Sequence, residues 1–147
     1  WAEKGQQITS RLLYLVDEDT ASFNLILEAF RLPKQTAEEQ AFRKNAIQEA
    51  TKYATEIPFR VMQTVYEALP IAEAMIHKGL PSSVSDGAVG VICMQAAMRG
   101  AYLNVKINIR SIQDKAFVAE MLGQADQLMQ KMDTEAKALI ELAESHI

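Results

Sequence analysis

The chain has 147 residues, 49% of them hydrophobic and 23% charged, with a formal net charge of -4 and a pI near 5.2. That length suits a single domain, residues 1–147, and the acidic balance argues against broad nucleic-acid binding, whose affinity comes from clustered Lys and Arg on phosphates. No apolar run reaches the roughly 18 residues that cross a bilayer, and the polar start, Trp1 to Thr9, does not read as a secretory signal.

One cysteine, Cys93, precludes an internal disulfide. It lies in an apolar segment, which suggests a packing role and a reduced, cytoplasmic setting. Helical periodicity recurs along the chain and no stretch alternates as a strand does. The expected fold is all-α, a multihelical up-and-down bundle with long, proline-kinked helices.

The first helix is expected from about Ala2 to Arg31, stopping where Leu32 and Pro33 oppose continuation. Its seam reads Ile8, Leu12, Leu15, Asp19, Ser22, Ile26, Ala29, in alternating steps of four and three that keep one face. Asp19 is the polar exception. A carboxylate withdrawn from water costs several kcal/mol unless paired, and burial raises its pKa toward the range of acid–base catalysis. Asp19 is therefore a candidate catalytic acid or base; the alternative is that the bundle opens at this level and the carboxylate faces solvent.

A second helical segment opens at Thr36-Ala37-Glu38-Glu39, a capping box. It runs through Pro58 and Pro70, each expected to bend or split it, to a stop at Gly79. The turn-rich Leu80–Asp86 stretch leads to a third helix from about Ser85 to Ile109. Gly90, Cys93, Ala97, Gly100 and Ala101 give it a slim face, suited to a tight helix crossing or a subunit contact. The last helix starts near Asp114 and buries Phe117, Met121, Leu128, Met132 and Leu139.

Phosphate-binding glycine loops, cysteine pairs and histidine pairs at metal-ligand spacing are missing from the sequence, so no metal site is expected. His77 reads as a helix-end residue, His146 as part of a frayed tail, and Met94, Met98, Met121, Met129 and Met132 as core filling. Asn104 and Asn108, four apart, project from one side of the third helix. They hydrogen-bond either a ligand or the packing around them. Asp86 fits the first turn of that helix, where amides favour a carboxylate. It lies 18 residues from Asn104, or about 27 Å along the axis, too far to share one small reacting centre.

Several of these segments together resemble a known family. Asp17-Glu18-Asp19-Thr20 with Phe23-Asn24, then Glu28 to Lys34, Ala46 to Ala50, Ser85-Asp86, and Gly100 to Asn108 are similar, in order and spacing, to the cyclodeaminase domain of formiminotransferase-cyclodeaminase and its stand-alone relatives. The resemblance implies a dimeric helical fold acting on the one-carbon unit of tetrahydrofolate, with the folate as substrate and no separate cofactor. It implies Asp19 as the catalytic carboxylate and Ser85, Asp86, Asn104 and Asn108 as substrate-binding residues. In that reading Lys34, Lys106 and Arg110 are candidates to meet the acidic folate tail. The family's opening Pro-Gly-Gly-Gly-Ser loop and Ala-rich helix do not occur in the sequence, which thus matches the later part of the pattern. The implied activities are cyclodeamination of 5-formiminotetrahydrofolate or hydrolysis of the methenyl form. A non-catalytic helical assembly module is the alternative of another class.

Overall fold

A computed structural model describes residues 1–147, with five α-helices and no strands. They are α1 (Ala2–Arg31), α2 (Ala37–Tyr66), α3 (Leu69–Lys78), α4 (Val84–Asn108) and α5 (Lys115–Ser145), with single 3-10 turns at Pro81–Ser83 and Ile109–Ser111. Side-chain caps explain the starts of α2 and α5. The Thr36 hydroxyl accepts from the Glu39 amide at 3.1 Å and the Glu39 carboxylate accepts from the Thr36 amide at 3.1 Å, which supplies partners for amides the helix leaves free. Asp114 accepts from the amides of Ala116 and Phe117, each at 3.1 Å, at the head of α5.

The two prolines of the second segment behave differently. Pro70 is the second residue of α3, where a missing amide costs nothing, and the chain turns just before it at Glu67–Ala68. Pro58, expected to bend or split its helix, lies inside a continuous α2. It offers no amide to the carbonyl of Ala54 four residues back. That carbonyl accepts instead from Asn108 Nδ2 of α4 at 3.0 Å. Gly79 ends α3 with an extended backbone, φ -71° and ψ 174°, and a Cβ there would collide with the Met75 carbonyl oxygen.

The helices pack in the spatial order α1, α2, α4, α5, with α3 against α4 and α5. The core sits where α2, α4 and α5 meet, around Met62, Val91, Met98, Val105, Met132 and Ala136, all fully buried. Met98 and Met132 thus fill the interior, as their flexible thioether chains suit. α4 buries Val84, Val91, Met98 and Val105, one residue every seven. α1 follows the same rule with Ile8, Leu15, Ser22 and Ala29. Because α1 rests mainly on α2, it buries that single row, and the intervening positions Leu12, Asp19 and Ile26 lie at its edge. No helix is long and apolar enough to cross a membrane.

Candidate active site

α1 and α4 both lean on α2 and leave a groove between them, with α2 as its floor. At one level a cavity of about 380 Å³ is lined by Leu12, Leu15, Val16, Asp19 and Thr20 of α1, Pro58 and Val61 of α2, and Ala97, Ala101 and Asn104 of α4. Through Leu12 and Ala97 it continues into a more apolar stretch bordered by Gly5, Ile8, Val65, Gly90, Cys93 and Met94. Of the two uses expected for the slim face of α4, a tight helix crossing within the chain is not found: the face borders open space. A Cβ added at Gly90 or Gly100 would meet no other group within 4 Å. Cys93, expected to be packed, is exposed in this wall.

Asp19 is exposed, so of the two readings of the seam the one in which the bundle opens at this level holds, and the carboxylate is not held inside it. The physical reason is the single buried row of α1: a helix with one principal neighbour covers half of a seam that two neighbours would cover. Asp19 nonetheless lines the polar end of the groove, opposite Asn104. Its main-chain carbonyl accepts from Ser22 Oγ at 2.8 Å, and its carboxylate takes part in none of the chain's ion pairs. Thr20, not singled out in the sequence, lines the same cavity, with its hydroxyl donating to the Val16 carbonyl at 3.2 Å.

The other expected site residues do not gather here. Asn108 is half-buried and occupied by the Ala54 carbonyl, so the Asn-x-x-x-Asn pair divides into one groove residue and one packing residue. Ser85 and Asp86 lie exposed in the first turn of α4, the far end of the helix from Asn104. Lys106 stands over the Tyr102 ring, 5.2 Å from its centroid, and does not line the groove. His77 is in the last turn of α3, and His146 Nδ1 lies 2.8 Å from the Leu142 carbonyl at the end of α5. No group of three or more His, Cys, Asp or Glu side chains is placed to hold a metal ion.

Glu18, next to Asp19, is the best-connected carboxylate of the region. It accepts from Arg60 at 2.6 Å, Tyr14 at 2.9 Å and Tyr53 at 3.3 Å. The Arg60 hydrogen bond first, then that of Tyr14, holds it below the usual carboxylate range. Only the Tyr14 contact, four residues away on the same helix, has a signature in the sequence; Tyr53 and Arg60 are 35 and 42 residues distant.

This arrangement of helices is a known fold. The structure superposes on formiminotetrahydrofolate cyclodeaminase from Thermotoga maritima with a TM-score of 0.81 and 19% identity, covering 95% of this chain and 66% of that one. The formiminotransferase-cyclodeaminase sequence pattern spans residues 1–127, and the chain belongs to that family. It is 32% identical over 145 residues to methenyltetrahydrofolate cyclohydrolase of Methylorubrum extorquens, covering 99% of this chain and 70% of that protein. It is 33% identical over 132 residues to formimidoyltransferase-cyclodeaminase of Mus musculus, covering 90% of this chain and 24% of that protein.

Proposed function

We propose that the chain catalyses cyclodeamination of 5-formiminotetrahydrofolate to the 5,10-methenyl form, with Asp19 as general acid–base. The observation that supports this best is the convergence of Asp19 and Asn104 on opposite walls of one groove with an apolar floor. An apolar floor suits the flat face of a pterin, and the two polar groups supply orientation and proton transfer at one end.

In the reaction, N10 attacks the carbon of the protonated formimino group, forming the N10–C bond. Asp19 takes the proton from N10 and delivers it to the amino group of the tetrahedral centre. The C–N bond then breaks with loss of ammonia and leaves the methenyl cation. Asn104 orients the one-carbon unit by hydrogen bonding. A bound pterin covers the exposed carboxylate and removes water from it, which favours proton transfer in the complex over the free protein.

The second reading is hydrolysis of the methenyl form, with Asp19 as base for the attacking water. It is favoured by the similarity to the Methylorubrum cyclohydrolase, which extends over nearly the whole chain. Ammonia released from the formimino substrate, compared with formyl product from the methenyl substrate, distinguishes the two. Asp19→Asn should lower kcat about 10² to 10⁴-fold in either case, and wild-type turnover in that variant ends the proposed role. Neither turnover nor folate-analogue binding by calorimetry would leave the chain a helical assembly module.

Ser85 and Asp86, about 27 Å along α4 from Asn104, are assigned to the substrate held in the groove of a second copy rather than in that of their own. The proposal therefore includes a homodimer.

A further inference from the structure

We propose that Glu18 is a positioning residue for Asp19, clamping onto α2 the turn of α1 that carries the proposed acid–base; the inference rests on the role given to Asp19 above. Successive helical residues point about 100° apart. With Glu18 drawn toward α2, Asp19 is turned toward the groove. The apolar packing of α1 does little to set this angle at that level, because the buried row there passes from Leu15 to Ser22, a small side chain whose hydroxyl is engaged by its own helix.

The carboxylate of Glu18 bridges donors seven residues apart on α2, Tyr53 and Arg60, which are about 10 Å apart along that axis. A bridge of that span resists both sliding and rotation of α1. The ion pair of Arg11 with Glu67, the residue that caps the end of α2, is about half exposed on both sides (52% and 49%), whereas in the Glu18–Arg60 pair Arg60 is 44% and Glu18 18% exposed. Arg11, which also donates to Thr64 of α2 at 3.2 Å, ties α1 to the end of α2 about two turns from Asp19, so the Glu67 pair joins the same region while leaving the Asp19 turn unconstrained, and serves as a control.

The test compares steady-state kinetics of Glu18→Gln and Glu67→Gln on the folate that the wild type turns over. A misplacement near 1 Å costs about 10²-fold. Glu18→Gln should therefore lower kcat about 10 to 10²-fold with KM within about threefold, and keep the acid limb of the pH–rate profile. Glu67→Gln should leave kcat within about twofold of wild type. Arg60→Lys, which keeps the charge, should retain more activity than Arg60→Met. Wild-type kcat in Glu18→Gln, an equal loss in Glu67→Gln, or disappearance of the acid limb would each overturn the inference, the last by making Glu18 itself the proton carrier. Amide hydrogen exchange over residues 15–22 reads the clamp without turnover. If the wild type is inactive on both folates, the role of Asp19 fails by itself; faster exchange in Glu18→Gln but not in Glu67→Gln still upholds the clamp, and unchanged exchange overturns it.

Discussion

All four tyrosines of the chain donate to carboxylates: Tyr14 and Tyr53 to Glu18, Tyr66 to Glu135 and Tyr102 to Asp126. Each phenol is raised above its ordinary 10.0, by the carboxylate hydrogen bond first for Tyr14, Tyr66 and Tyr102 and by burial first for Tyr53. A raised folded pKa means that the stability from these bonds is complete below pH 10.0 and is lost as pH rises through the folded values. Glu18 and Glu67 are depressed by their arginines, so their contribution is complete above the ordinary carboxylate value of 4.5 and disappears as pH falls through the folded values. The urea midpoint should therefore form a plateau near neutrality and fall on both sides, with a shallower alkaline limb in Tyr66→Phe. A midpoint that stays flat from about pH 9 to 11, across the phenol range, would refute the alkaline part. Tyr14 and Glu18 are readable as an i,i+4 pair; Tyr66 and Glu135, 69 residues apart, meet only because α2 touches α5.

α2 shows why a helix cannot be read without its neighbours. Pro58 alone predicts a break, and Asn108 alone is an amide in search of a partner. Together they keep the helix continuous, since the side-chain amide replaces the main-chain donor that proline lacks. Asn108→Ala leaves the Ala54 carbonyl without that donor and should destabilise by about 1 to 3 kcal/mol in urea unfolding. Substitution of Pro58 by Ala restores an amide at position 58, so the same Asn108 change should then cost less than about 1 kcal/mol. Equal costs in the two backgrounds would contradict the exchange of donors. The Asn-x-x-x-Asn spacing was legible as a shared helix side. Which of the two amides faces α2 and which faces the groove was not, because four residues advance the helix by about 400°, leaving the pair some 40° apart.

Across the whole molecule, two apolar lines remain uncovered. On α1, Leu13, Val16, Phe23 and Phe30 are between 52% and 65% exposed, and on α4, Ile92, Leu103 and Ile107 are between 51% and 60% exposed. Val16 of the first line also borders the groove, and exposed apolar surface beyond what a monomer usually leaves bare marks contact sites. The proposed homodimer is expected to cover them. Sedimentation should give twice the 16.4 kDa of one chain, and a mass of one chain at micromolar concentration would remove the second copy from the proposed site.

Local chemistry determined the helices themselves. The Thr36 box, the Asp114 cap, the stop at Gly79 and the 3.6-residue pattern act within a few residues, so they are written in order along the chain. The family resemblance was likewise carried by consecutive residues. Tertiary structure alone decided that Asp19 stands at the rim of a groove rather than within a seam, that Asn104 faces that groove while Asn108 supports α2, and that Cys93 is open to it. A periodic pattern records the angle of a side chain about its own axis; how many neighbours surround that axis, and where they leave a gap, is settled only when the helices pack.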